Sequence, residues 1–96
     1  MKILPEPVVF EWDKGNINKN FIRHGVTNKE TEEVFSNKPL VSEDVKHSIT
    51  EKRFQALGKT DEGRLLFVSF TIRYEKVRVI SARDMNKREV KMYEEV

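Results

Sequence analysis

The chain predicts a single α/β domain of the α+β kind, an antiparallel sheet with helices packed on one face in the order β-α-α-β-β-β-α. Three observations predict it: strand-length apolar segments fill the second half, two positions carry the reciprocal cap spacing of a helix start, and the whole has 96 residues. That length holds one core, near the lower end of what folds without staples. One domain over residues 1–96 is therefore expected.

Val8, Phe10 and Trp12 alternate with Val9 and Glu11 behind Pro5 and Pro7, the period-2 pattern of a short strand. In the segment 13–25, Ile17, Phe21 and Ile22 share a helical face, Asp13 can cap the start and Gly25 can supply a left-handed stop. This predicts a first helix of about three turns. Thr27 and Glu30 have the spacing of a capping box, so a second helix starts there, gains apolar residues at Val34 and Phe35, and stops at Asn37 to Pro39. Residues 40–50 show no clear period and predict a loop, with a short extended piece at Leu40-Val41.

Strands are predicted over 53–59, 64–74 and 77–83, the first two joined by the turn sequence TDEG and the second pair meeting near Tyr74-Glu75-Lys76. Asn86 and Glu89 repeat the cap spacing and open a terminal helix through Tyr93. Alternation then assigns faces. Leu66, Val68, Phe70 and Ile72 form an apolar row; if the turns keep register, the opposite face gathers Arg53, Gln55, Ser69, Thr71, Arg73, Ser81 and Arg83. On strict alternation Val79 also lies with Ser81 and Arg83, while Arg78, Ile80 and Ala82 lie opposite.

Composition narrows the function classes. Hydrophobic residues are 38% and charged residues 35%, with nine aromatics, which is globular rather than disordered. No apolar run approaches the roughly 20 residues of a membrane helix, and the N-terminal segment has acidic residues where a signal peptide is apolar, so a cytoplasmic protein away from membranes is expected. With no cysteine, disulfides and thiol chemistry are excluded. The net charge of +2 hides an asymmetry: residues 1–51 carry 7 Lys/Arg against 9 Asp/Glu, residues 52–93 carry 11 against 5. The basic charge lies with the strands, which points to an anionic partner, nucleic acid foremost.

Several catalytic patterns fail on their spacing. Gly58-Lys59-Thr60 resembles the end of a phosphate-binding loop, but Arg53 stands where that motif needs glycine, and the lysine ends a strand. The only histidines, His24 and His47, lack metal-ligand spacing, so neither metal nor cofactor is expected. His24 fits either a charge at a helix terminus or an acid/base role. Glu30, Glu32, Glu33 and Glu89 fit caps or solvated faces, and Tyr93 fits either packing or a site. By contrast Arg53, Arg73 and Arg83 on one face would form an array of fork donors for phosphate oxygens. RNA cleavage needs no metal when the 2′-hydroxyl attacks the adjacent phosphorus, because the nucleophile is within the substrate.

FEWD at Phe10–Asp13, RHGV at Arg23–Val26, EVF at Glu33–Phe35, EKRFQALGKT at Glu51–Thr60, GRLLFVSFTIR at Gly63–Arg73, VRVISAR at Val77–Arg83 and the closing REVKMY stand in a specific order. In that order and spacing the chain resembles the BrnT family of type II toxin–antitoxin ribonucleases. The resemblance implies a RelE-like fold, metal-independent endoribonuclease activity that arrests growth, and neutralisation by a BrnA-type antitoxin. Such antitoxins carry a ribbon-helix-helix part, through which the complex binds operator DNA and represses its own operon. Carried over by motif position are Arg53, Arg73, Ser81 and Arg83, and Tyr93. The segment 38–48 matches little.

The expected function is thus RNA cleavage leaving a 2′,3′-cyclic phosphate. Arg53, Arg73 and Arg83 hold the phosphate, Ser81 bonds the substrate or an arginine, and His24 or Tyr93, or a buried lysine, moves protons. Lys59, Arg78 and Arg88 add RNA contacts. The alternative is a non-catalytic nucleic-acid-binding or interaction module using the same basic face. No helix here has the layout of a DNA-reading helix-turn-helix.

Overall fold

The computed structural model describes residues 3–96. Four strands, β1 (Leu40–Glu43), β2 (Phe54–Lys59), β3 (Leu65–Arg73) and β4 (Lys76–Asp84), form an antiparallel meander in that spatial order. Helices α1 (Lys19–His24) and α2 (Asn28–Ser36) precede it, and α3 (Lys87–Glu94) follows. No helix among the described residues is long and apolar enough to cross a membrane.

Both predicted capping boxes are present. The Thr27 hydroxyl accepts from Glu30 N at 3.0 Å while the Glu30 carboxylate accepts from Thr27 N at 2.9 Å, and Asn86 and Glu89 exchange the same pair of bonds at 2.8 and 2.9 Å. Two otherwise unpaired donors are satisfied at each helix start. The β3–β4 turn is tight, because Tyr74 and Glu75 both take positive φ, as a two-residue hairpin loop of matching twist requires.

The core lies between the sheet and α2. Ala56, Leu66, Val68 and Phe70 are fully buried on the inner face, against Val26, Val34 and Phe35. Phe35 meets Phe70 edge-on at 5.1 Å and Phe10 at 5.2 Å, which locks the N-terminal segment to the sheet. Gly58 lets α2 come close: a Cβ there would stand 2.8 Å from a Val34 methyl.

Five details depart from the expected layout. The first strand narrows to one parallel bridge, Phe10 with Val77, held by Val77 N to Val9 O at 2.7 Å and Glu11 N to Val77 O at 2.8 Å. Leu40–Glu43 is a full strand, because its backbone pairs with Phe54–Leu57 even though its second half is polar and exposed. The α1 segment does not bury its apolar residues: Ile17, Phe21 and Ile22 are exposed, while Asn16 and Asn20 are buried. These asparagines face inward because β4 is an edge strand with free backbone groups. Asn16 Nδ2 donates to Val79 O, Asn20 Oδ1 accepts from Ala82 N, and Lys19 Nζ donates to Ile80 O. An otherwise open sheet edge is thereby covered.

The fourth departure is a β-bulge. Ser69 pairs with Ser81 but Phe70 pairs with Val79, so Ile80 is an extra residue on β4. Strict alternation places Val79 beside Ser81; the bulge instead keeps Val77, Val79 and Ala82 in the core and leaves Arg78, Ser81 and Arg83 on the other face. The fifth departure is helix placement: all helices were expected on one face, and while α2 holds to the inner face, α1 lies along the β4 edge and α3 joins neither. Its Glu89 binds Arg83, and its Met92 lies with Leu40 and Leu57 beside a shared cavity, so α3 crosses the outer face at one end.

Candidate functional site

The outer face is ordered in rows by strand register. Ser42, Gln55, Ser69 and Ser81 stand opposite one another across all four strands, and Leu40, Leu57, Phe67 and Arg83 form the adjacent row. No side chain of the first row has a protein hydrogen-bond partner among the described residues. On the far side of that row Thr71 opposes Arg78, and alternation from Gln55 brings in Arg53. Four hydrogen-bonding side chains thus lie in a line between arginines.

The arginines differ in what holds them. Arg73 makes a two-pronged pair with Glu51 at 2.7 and 3.0 Å, which raises the guanidinium pKa and lowers that of the carboxyl. Arg83 pairs with both oxygens of Glu89 at 2.8 and 2.9 Å, and its Cζ lies 4.2 Å from the centre of the Phe67 ring. That fork, together with the Asn86 N–H, holds the Glu89 carboxyl below its ordinary range. Arg78 is shared between Asp13 at 2.7 Å and Glu11 at 3.0 Å, and the Asp13 carboxyl is lowered chiefly by it. The Arg53 guanidinium makes no hydrogen bond or ion pair among the described residues, though its charge helps to lower the Glu51 carboxyl. An array of free forks was expected at Arg53, Arg73 and Arg83, and two of these three, with Arg78 beside them, are already engaged by carboxylates.

Arg53 is instead fixed through its backbone. Its carbonyl accepts from Asp44 N at 2.8 Å and its N–H donates to Ser48 Oγ at 2.9 Å, which fastens the turn of residues 44–48 to the start of β2. That turn carries His47, whose Nδ1 lies 2.8 Å from Asp44 Oδ2 and whose side chain is 59% exposed. A carboxylate on one ring nitrogen orients the imidazole and leaves Nε2 free for a proton. The sequence reading weighed His47 only as a metal ligand. Its signal was the Asp44-x-x-His47 spacing, which a single turn converts into a contact.

The proposed proton carriers are not brought to this row. His24 ends α1 on the helix side of the sheet, where Arg64 donates to its carbonyl and its charge acts on Asp84. Tyr93 lies in the last turn of α3, at the β1 edge with Lys38, Pro39 and Val96. Lys59 closes β2 in the open, and Arg88 lines the cavity beneath α3. Arg64, not singled out from sequence, is the best-bonded arginine: it binds Asp84 at 2.7 Å, Glu30 at 3.2 Å and the carbonyls of Gly25 and His24. It ties α1, α2 and β4 together. No cluster of three or more His, Asp or Glu side chains with metal-holding geometry occurs among the described residues.

A family model described as "Ribonuclease toxin, BrnT, of type II toxin-antitoxin system" matches residues 12–89. That span contains the polar row, all four arginines of the outer face and the Asp44–His47 pair, and it ends at Glu89, before Tyr93. No curated protein sequence matches the chain.

Proposed function

The chain belongs to the BrnT family of ribonuclease toxins of type II toxin–antitoxin systems, and from that premise we propose that it is a metal-independent endoribonuclease acting on the outer face of its sheet. The observation that carries this is Arg53, whose guanidinium makes no hydrogen bond or ion pair among the described residues, at the end of a row of four polar side chains that make none either, with the turn bearing the oriented His47 bonded to its backbone. Each is a group a phosphodiester needs and the fold does not use.

The reaction is attack of a ribose 2′-oxygen on the adjacent phosphorus, giving a 2′,3′-cyclic phosphate and a free 5′-hydroxyl. His47 Nε2 accepts the 2′-proton while Asp44 holds Nδ1–H, so the imidazolium that forms is stabilised where it arises. Arg53 neutralises the non-bridging oxygens, on which charge grows, and Ser69, Ser81 and Gln55 fix the chain along the row. The departing 5′-oxygen takes its proton from solvent on this open face. Arg73, Arg78 and Arg83, held by carboxylates, set the potential and position the neighbouring groups. Neutralisation by a BrnA-type antitoxin and joint repression of the operon belong to the same reading.

A binding-only module is the second reading, favoured by the engagement of three arginines with internal carboxylates. The two separate on a single-stranded RNA incubated with the purified protein in the presence of chelator. Cleavage leaving cyclic phosphate ends, abolished by a 2′-deoxy nucleotide at the cut position, supports the enzyme. Binding of intact RNA without cleavage supports the module. Induced expression that leaves growth unaffected sinks the toxin reading.

A further inference from the structure

Beneath α3 lies a cavity of about 340 Å3, of whose lining the reaction above uses only Gln55. Leu40 and Leu57 of the sheet form one wall and Met92 of the helix the other, so two apolar surfaces face each other. The rim is polar: Ser42, Gln55 and Arg88 line it, and none of their side chains has a protein partner among the described residues. The Asn86 amide adds an unused Nδ2 donor, since its oxygen is taken by Glu89 N. Apolar walls with a few convergent polar groups are the make-up of a small-ligand site, and this volume sits at the lower end of the roughly 300–1,000 Å3 range of such sites.

The position decides the ligand. Ser42 and Gln55 belong both to this rim and to the row that continues to Ser69 and Ser81. A group in the cavity is therefore attached to whatever lies along the row. We propose that this cavity is a nucleobase pocket, taking one unstacked base of a single-stranded RNA whose backbone runs along the Ser42–Ser81 row. Sequence-reading RNA proteins bind bases this way, splayed from the strand, packed on flat or apolar side chains and bonded at their edges. The Gln55 amide offers a donor and an acceptor side by side, Ser42 either, and Arg88 donors and a flat face. The pocket gives the ribonuclease reading, on which this inference rests, its source of base preference.

The test separates the two. With methyl-labelled protein, ribonucleoside 5′-monophosphates are expected to shift the Leu57 and Met92 methyl resonances, and ribose 5-phosphate, which has the same phosphate and no base, is expected to leave them in place. Equal shifts from both, or none from the nucleotides, overturn the pocket; shifts from the antitoxin alone reassign it to a protein segment. In cleavage assays, an RNA with one abasic residue moved along the strand should be cut at least about tenfold more slowly when that residue adjoins the scissile bond, the loss expected for one base's contacts. Gln55→Ala should flatten the base preference with the fold intact. Cleavage indifferent to every abasic position overturns the inference and leaves the ribonuclease standing. If wild-type protein cuts nothing, the ribonuclease reading falls, and the methyl titration still decides the pocket.

Discussion

The two faces of one sheet are built to opposite rules, although their residues alternate along the same strands. On the inner face Phe70, Val68 and Leu66 are fully buried against α2, and every contact is used by the fold. On the outer face Ser69, one residue from Phe70, makes no side-chain hydrogen bond, and neither does Ser81, Gln55 or Ser42 opposite. Unpaired polar groups are cheap while water reaches them and become valuable when a ligand replaces that water. On the proposed function, stability and chemistry are therefore carried by different residues, and substitutions should separate them.

The largest separation is expected between neighbours. Phe70→Ala should cost about 3–5 kcal/mol in urea unfolding, enough to unfold much of a domain whose total is about 5–15 kcal/mol. Ser69→Ala should stay within about 0.5 kcal/mol and slow RNA cleavage. Comparable destabilisation by both would break the division between faces. Next come two arginines. Arg53→Ala should lower kcat about 10²–10³-fold at unchanged melting temperature. Arg64→Met should lose about 1–2 kcal/mol of stability, discounted for its partly exposed partners, with cleavage by the folded fraction unchanged.

His47→Gln sharpens the comparison within the outer face. A drop in single-turnover cleavage of about 10²-fold with RNA affinity retained marks a proton carrier, and a drop in affinity alone reduces His47 to a contact. The smallest effect is in acid. Asp13, Glu30, Glu51, Asp84 and Glu89 are all held below their ordinary values of 3.8 or 4.5 by arginines or backbone N–H groups. A depressed folded-state pKa gives stability that is complete above the ordinary range and lost as pH falls through the folded values. The melting temperature should thus be level from neutrality to about pH 5 and decline below pH 4, less steeply in Arg64→Met, which removes the main cause acting on Asp84.

Much of this division was legible in the sequence, and the losses have physical causes. Capping boxes are local, so both helix starts could be read from four residues each. Strand alternation placed Gln55, Ser69 and Ser81 together, because register in a short meander follows from its turns. The arginine pairs could not be read: Glu51, Asp13 and Glu89 meet Arg73, Arg78 and Arg83 only once the chain is folded. Ile17, Phe21 and Ile22 misled because helical spacing reports a face without saying what it faces. Here the neighbour is a strand edge, which needs amides more than methyl groups.

Ile80 has a consequence of a different order. The bulge absorbs one residue of β4, so deletion of this one residue leaves a regular ladder with the faces on both sides unchanged. Without it, Val79 still pairs with Phe70 and Ser81 with Ser69, so Ser81 and Arg83 stay outward and Ala82 inward, and what is lost is the added local twist and bend of the strand. Length at this one position is therefore free to vary by a residue without turning either face over. Lineages carrying this domain should exchange the side chain at position 80 freely, and those that lose it should keep Val79 inward and Ser81 outward.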